Sequence, residues 1–187
     1  MHRIGSAGAA IQDRWYHLIG KHDVESKRRR GLTDAVEARS TPHKSDSREQ
    51  IAAETEAIAA LQVQLGVQLT QTVSIPLPLG GRLELDAATS DLSVLCEVFA
   101  HQGRPRGGQI HKVARDAFKL IYARSVVDRA PPARLVLCLT DAAAAAPFLA
   151  TGWMAQALKQ FSVDLVVIDL SEPTRLAIAA AQVRQYR

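Results

Sequence analysis

The sequence predicts an α/β fold in which a mixed central sheet is flanked by helices. An amphipathic helical segment comes first, three segments with strand periodicity follow it closely, and helices then alternate with two compact apolar strands. Strands joined by short turns favour an antiparallel meander, whereas strands separated by helices favour parallel pairing through crossovers. The predicted order of elements is therefore α-β-β-β-α-β-α-β-α.

The opening helix is expected over residues 48–65. Residues 47–50 have the form of a capping box, which is typical of a helix start. An apolar stripe then recurs at helical spacing through Ile51, Ile58, Leu61 and Leu65.

Three strands are expected next, over residues 73–77, 82–86 and 92–101. Pro76 places the first of them at a sheet edge or a bend, because proline cannot donate to a ladder. Gly80 and Gly81 form the turn between the first two strands.

The second half of the chain alternates between helices and strands. The expected helices cover 109–127, the Ala-rich segment 142–160 and a closing helix to Tyr186. The expected strands cover 134–140 and 164–170. Asp141 ends the first of these strands and is expected to be the N-cap of the helix that follows.

The charge distribution divides the chain in two. The formal net charge of the 187 residues is +4, but residues 1–48 hold ten Lys and Arg against six Asp and Glu, whereas residues 49–187 hold thirteen of each. We therefore expect a basic N-terminal arm over 1–47, with a short helix and a linker, and an α/β domain over 48–187.

Composition excludes several classes of protein. At 47% hydrophobic and 22% charged residues, the chain is globular rather than disordered. No secretory signal is recognisable, and the long uncharged stretches are broken by proline, so no membrane span is expected. Cys96 and Cys138 lack metal-site spacing and read as buried thiols in a reducing compartment, which predicts a cytoplasmic protein. Trp15 and Trp153 are expected to be packing residues.

Acidic residues on the strands are the first candidates for chemistry. Glu84 and Asp86 alternate onto one face of the second strand, and Glu97 lies in the middle of the third strand between apolar neighbours. A carboxylate at such a position is costly unless it has a partner or a metal ion. The alternative is that the third strand lies at a sheet edge with Glu97 in water.

Basic and amide groups follow directly after these strands. Along one edge of the helix over 109–127, the sequence places Gln109, Lys112, Asp116 and Lys119. Arg104 and Arg106 lie in the preceding glycine-rich loop, and Arg115 lies on the same helix. The alternative is a solvated helix face with an Asp116–Lys119 or a Lys112–Asp116 pair. No aromatic cluster interleaves these cations in the sequence, so base stacking is not expected.

Asp86, then Glu97 on the next strand, then a helix that begins Gln109-Ile110-His111-Lys112 together resemble the restriction-endonuclease-like nucleases, the PD-(D/E)XK superfamily. The α-β-β-β-α-β order is also similar to the core of that family, over residues 48–170. The resemblance implies a restriction-endonuclease-like core and a hydrolase acting on phosphodiester bonds. It also implies Mg²⁺ or Mn²⁺ held by Asp86 and Glu97.

The family's strand lysine, two residues after the glutamate, has no counterpart here because Phe99 occupies the position. Some members of the family carry this basic group on the following helix. The resemblance then implies Lys112 for this role, with Lys119 as the alternative. Gln109 resembles a glutamine that one branch of the family carries on the same helix. The resemblance thus implies a catalytic set of Asp86, Glu97, Lys112 and Gln109.

The expected partner is nucleic acid, with DNA favoured over RNA. Sequence-independent phosphate contacts are expected from Arg104, Arg106, Arg115 and Lys119. One alternative is a catalytically inactive protein of the same fold that binds nucleic acid or a protein partner. Another is an assembly protein that forms a homodimer through the helix over 48–65 and the N-terminal arm.

Overall fold

The computed structural model describes residues 48–127 and 129–185, so the predicted N-terminal arm, Trp15 and the predicted cap at Ser47 lie outside the described part of the chain. The described elements are α1 (Arg48–Leu65), β1 (Thr70–Pro76), β2 (Arg82–Ala88), β3 (Val94–Phe99), α2 (Gly108–Val126), β4 (Arg134–Leu139), α3 (Ala142–Leu149), α4 (Trp153–Gln160), β5 (Val163–Val167) and α5 (Glu172–Gln185). None of the described helices combines the length and the apolar character needed to cross a bilayer.

The five strands form one mixed sheet in the order β1-β2-β3-β4-β5. Strands β1, β2 and β3 pair antiparallel, whereas β3, β4 and β5 pair parallel. The predicted α/β class and the meander followed by parallel crossovers are therefore confirmed. The short loops of the meander permit antiparallel pairing, and the intervening helices permit the parallel pairing.

The Ala-rich segment forms two helices rather than one continuous helix. The chain leaves the helical conformation at Ala150, and α4 begins at Trp153 with Gly152 as its N-cap. At the start of α3, the Asp141 carboxylate accepts a hydrogen bond from the backbone N–H of Ala144 at 2.9 Å. The predicted N-cap is thus confirmed.

Each face of the sheet carries its own apolar core because side chains alternate along β3. On one face, Leu95 and Phe99 pack with α2, α3 and α4. On the other face, alternate residues of β3 pack with α1 and α5. Both cysteines are free and belong to this second core, where burial raises the pKa of the Cys96 and Cys138 thiols to about 12.

Strand β3 lies at the centre of the sheet, so the alternative that placed it at an edge is wrong. Every residue from Val94 to Phe99 is buried between β2 and β4. Burial extends to the carboxylate of Glu97, which is 1% exposed. Strand β1, which contains Pro76, forms one edge of the sheet, as predicted.

Strands β2 and β3 separate soon after they meet. They pair at Ala87 with Cys96 and at Ala88 with Leu95, whereas β3 pairs with β4 along its whole length. On the other side of β2, Thr72 lies opposite Asp86 in the register and has a φ of 52°. A positive φ is unusual for a β-branched residue. The backbone is therefore distorted on both sides of Asp86, and we call this point the β2–β3 fork.

Candidate active site

Asp86 and Glu97 meet at the β2–β3 fork. One carboxylate oxygen of Asp86, Oδ2, accepts a hydrogen bond from the backbone N–H of Val98 at 2.8 Å. Oε1 of Glu97 lies 3.4 Å from the backbone N–H of Asp86 and accepts from it. Where the two strands separate, their backbone N–H groups no longer bond to each other. Each carboxylate accepts a hydrogen bond from one of these N–H groups instead. The fork brings together the two acids that the sequence singles out.

Asp86 and Glu84 have different surroundings although they alternate along the same strand. Glu84 is exposed, whereas Asp86 is half-buried and turns its carboxylate toward the backbone of β3. Leu85 packs in the core beneath α2, but Ala87 packs in the core on the opposite face. The regular alternation of β2 therefore breaks at Asp86, which separates this carboxylate from the exposed one of Glu84.

Glu97 is a buried acid whose proton affinity is raised. Its pKa rises to about 8, mainly because burial removes the carboxylate from water, and further because the negative charge of Asp86 lies nearby. The ammonium group of Lys119 opposes this rise by hydrogen bonding and by its charge, and it only partly offsets the first two causes. The carboxyl group of Glu97 is therefore harder to ionise than an exposed one.

Lys119 supplies the cation that reaches Glu97. Its Nζ lies 2.5 Å from Oε2 of Glu97, and its side chain is 25% exposed. Helix α2 crosses above β3 on the face that carries Glu97, so a lysine on this helix can extend down to the strand. The lysine joins the buried carboxylate to the protein surface.

Lys112 lies two turns earlier on α2 and contacts a different acid. Its Nζ is 2.6 Å from Oδ2 of Asp116, and it also lies 5.7 Å from the centre of the Phe99 ring. Asp116 is 1% exposed, and Arg115 approaches its other oxygen at 3.6 Å. The predicted Lys112–Asp116 pair is present, but its carboxylate is buried rather than solvated.

Gln109 lies beyond these lysines, toward the end of β3. Its Oε1 accepts a hydrogen bond from the backbone N–H of Arg106 at 2.8 Å, and its Nε2 lies 3.4 Å from Nδ1 of His101. These contacts hold the glycine-rich loop against the end of β3. The structure thus places Gln109 beside His101, whose ring stacks on that of Phe99.

His101 is buried and receives a second amide from α5. Nε2 of Gln182 lies 2.7 Å from Nδ1 of the imidazole, while its Oε1 accepts from the backbone N–H of Gln102. The same Nε2 of Gln182 also lies 3.2 Å from Nε2 of the imidazole, so both ring nitrogens are within reach of this amide. Burial lowers the pKa of His101, and the charge of Asp141 acts in the opposite direction.

The arginines expected to bind nucleic acid surround this end of the sheet. Arg104 and Arg106 are exposed and line a cleft of about 740 Å³, together with His101 and Gln109. Arg115 is 72% exposed on α2. Lys119 differs from these three because its ammonium group is engaged with Glu97. The structure therefore divides the predicted phosphate-binding set into two loop arginines, Arg115 beside Asp116, and one lysine of the acidic site.

The sequence could not decide between Lys112 and Lys119. The two are seven residues apart on one helix, so they share an edge at any rotation of the helix. Which of them reaches Glu97 depends on where the helix axis crosses β3, and this is set by packing. The sequence predicts Asp116 as a partner of Lys112. It does not predict that Asp116 is buried, because a buried pair and a solvated pair have the same spacing on a helix.

The candidate site therefore consists of the acids Asp86, Glu97 and Asp116 and the lysines Lys112 and Lys119, beside the β2–β3 fork. Within the described part of the chain, no group of three or more His, Cys, Asp and Glu side chains is arranged to hold a metal ion. Comparison of the chain with models of known protein families, with curated proteins and with solved structures found no match.

Proposed function

We propose that the chain is a metal-dependent, nuclease-like hydrolase of phosphodiester bonds in nucleic acid, with a restriction-endonuclease-like core. The observation that carries this proposal is the meeting of Asp86, Glu97 and Lys119 at the β2–β3 fork. Two acids and one lysine are the groups that the resemblance implies. The order of helices and strands supports the same proposal.

Lys119 supports the proposal by supplying an ammonium group that the strand lacks. The position two residues after Glu97 holds Phe99, whose ring packs beneath α2. The Lys119 ammonium reaches the same carboxylate from the helix instead. We therefore assign the catalytic lysine to Lys119 and give Lys112 a supporting role through Asp116.

The donor set fits a divalent cation of the Mg²⁺ or Mn²⁺ type. Such ions are bound through one or two carboxylates, with waters and substrate oxygens in the remaining positions, so the pair of Asp86 and Glu97 is sufficient. Burial first, and then the negative charge of Asp86, raises the pKa of Glu97, and a bound cation would offset the second of these causes. When bound, the ion would activate a water and stabilise charge on the phosphate.

The side chains of this site have separate roles in the proposed reaction. Lys119 would donate hydrogen bonds from Nζ to the attacking water or to a phosphate oxygen, and so orient the first or stabilise charge on the second. Burial beneath α2 excludes bulk water from one side of Glu97, which strengthens such interactions. Lys112 and Arg115 contact Asp116 within α2 and so set the orientation of its buried carboxylate.

Cleavage assays test the proposal. We expect the full-length protein to cleave single-stranded DNA, double-stranded DNA or RNA with Mg²⁺ or Mn²⁺, and not with a chelator. Asp86→Asn and Glu97→Gln should each reduce the rate by about a hundredfold or more. Glu84→Gln is the matched control, because it removes an exposed acid from the same strand. Cleavage that survives both site substitutions would overturn the proposal.

A non-catalytic protein of the same fold is the second candidate. One observation favours it: among the described residues, no three His, Cys, Asp or Glu side chains are grouped so that they could hold a metal ion. This candidate predicts salt-sensitive binding of nucleic acid or of a protein, with no cleavage under any metal condition. The cleavage assay therefore separates the two candidates directly.

A further inference from the structure

Helices α2 and α4 enclose an apolar groove that the proposed reaction does not use. Its volume is about 260 Å³, and Phe118, Ile121, Trp153 and Phe161 contribute to its almost entirely apolar wall. Successive residues of a helix are rotated by about 100°. Phe118 therefore lies about 100° around α2 from Lys119, and Ile121 lies about 160° from it. The groove and the acidic site are thus separate surfaces of one helix.

Large side chains around this groove are exposed to solvent. Trp153 is 75% exposed, Phe118 is 70% exposed and Phe161 is 47% exposed. The expectation that Trp153 is a packing residue is therefore wrong. Neighbouring large apolar groups with this exposure mark an interaction surface rather than a random scatter of apolar residues.

The charges around the groove are of one sign. Apart from Asp116, the charged residues of α2 and α4 are all basic: Arg115 and Lys159 are exposed, and Lys112, Lys119 and Arg124 are half-buried. Asp116, the acid of these two helices, is buried. A ligand that covers the groove would therefore gain from negative charge at its rim.

The same charges disfavour three other occupants of the groove. A second copy would bring two basic surfaces together, and the segment over residues 1–48 carries ten basic against six acidic residues. Phosphates of a nucleic acid would suit the rim. The polar edges of its bases would find almost no hydrogen-bond partner in the apolar wall, and burying them there is costly.

We infer that the α2–α4 groove is a docking site for an amphipathic, acidic helix of another protein. Apolar side chains of that helix enter the groove beside Trp153 and Phe118, and its acidic residues face Arg115 and Lys159. This is the helix-in-groove mode of recognition, in which aromatic residues such as Trp153 act as anchors. The inference does not rest on the proposed nuclease activity, because Asp86 and Glu97 are not among the residues that line the groove.

The test uses a labelled peptide that has leucine at positions i, i+3, i+4 and i+7 and glutamate elsewhere. Its binding to the full-length protein is followed by fluorescence anisotropy. We expect saturable binding that Trp153→Ala weakens by about tenfold or more. Leu176→Ala is the matched control, because Leu176 is 64% exposed on α5 and should leave binding unchanged.

Two further comparisons decide the nature of the occupant. A peptide with lysine in place of every glutamate should bind about tenfold more weakly, and Lys159→Glu should weaken binding of the acidic peptide. Absence of acidic-peptide binding, or equal binding of the two peptides, would overturn the inference. So would displacement of the peptide by a single-stranded oligonucleotide, or a dimer in sedimentation that Trp153→Ala abolishes.

Discussion

Glu97 combines a central strand, near-complete burial and a raised pKa. Apolar residues surround it along β3, and the groups that approach its carboxylate are the backbone N–H of Asp86 and the ammonium of Lys119. An acid in such a place lowers stability in the absence of a compensating cation. Lys119 is such a cation, and the raised pKa of Glu97 shows that it only partly offsets the cost of burial.

The raised pKa of Glu97 predicts how stability changes with pH. In the unfolded chain this acid releases its proton near pH 4.5, whereas in the folded protein it holds the proton to about pH 8. The folded state therefore binds more protons between these values, and stability falls as pH rises through them, by at most about 1.4 kcal/mol per pH unit.

Urea unfolding of the chelated protein between pH 5 and 9 measures this effect. We expect Glu97→Gln to remove the decline, so that the variant gains stability relative to the wild type as pH increases. Glu84→Gln is the control, since its exposed acid should leave the profile unchanged. If the free energy of unfolding of the wild type and of Glu97→Gln changed with pH in the same way, the prediction would be wrong. Glu97 would then have the same pKa in the folded and in the unfolded protein.

The two lysines of α2 are predicted to differ in their effect on cleavage. Lys119→Met removes the group that touches Glu97 and should reduce the rate by about a hundredfold. Lys112→Met acts through Asp116 and should reduce it by about tenfold or less. Rates are compared at saturating metal, with circular dichroism to verify folding. A larger loss for Lys112→Met would reverse the assignment of the catalytic lysine.

At the scale of elements, the sequence predicts most of the fold because its periodicity is strong. The helix over 48–65 and the central strands appear where their apolar spacing indicates. The separation of β2 and β3 could not be predicted, because it depends on the carboxylate of Asp86 bonding to Val98 across the sheet. The position of β3 in the sheet centre likewise follows from pairing, which a single strand's pattern does not specify.

Glu56 links α1 to the start of α5. Its carboxylate accepts hydrogen bonds from the backbone N–H and hydroxyl of Ser171 and from the hydroxyl of Thr174. These bonds, the backbone one first, lower the pKa of Glu56. A carboxylate at this place also interacts favourably with the positive end of the helix dipole. The two helices that cover one face of the sheet are thus fastened at one end.

We expect Glu56→Gln to lower the free energy of unfolding by about 1 kcal/mol, since the bonds are partly exposed. Because the pKa is lowered in the folded state, this contribution is present above the unfolded pKa of 4.5 and is lost as pH falls through the folded value. Urea unfolding measures it. Glu172→Gln is the control, because it removes an acid from the first turn of α5 and so tests the helix dipole alone. An equal loss of unfolding free energy in both variants would contradict a role for the hydrogen bonds of Glu56.

At the scale of the whole molecule, the arrangement of charge matters more than its sum. Residues 49–187 hold thirteen basic and thirteen acidic residues. The strand acids Asp86 and Glu97 nevertheless lie near the buried Asp116 of α2, while arginines lie in the glycine-rich loop and on the exposed side of α2. A negative centre beside a positive rim suits a metal ion and the phosphates that it would act upon. Neutral composition is therefore compatible with nucleic-acid binding.

Combined substitution of Arg104, Arg106 and Arg115 by alanine should weaken nucleic-acid binding at low salt and reduce the slope of log K against log salt by about 3. Anisotropy of a labelled oligonucleotide measures this. The matched control replaces Arg48, Arg82 and Arg175, which are exposed on other elements. An equal loss of slope in both triple variants would mean that net charge, and not this rim, governs binding.

Binding of Mn²⁺ tests the central claim most directly because it requires no knowledge of the substrate. Titration calorimetry of the full-length protein should show a Mn²⁺ site that is lost in Asp86→Asn and in Glu97→Gln and kept in Glu84→Gln. This result would assign the cation to the β2–β3 fork. Mn²⁺ binding that is absent from the wild type, or unchanged in the two fork variants, would contradict the account.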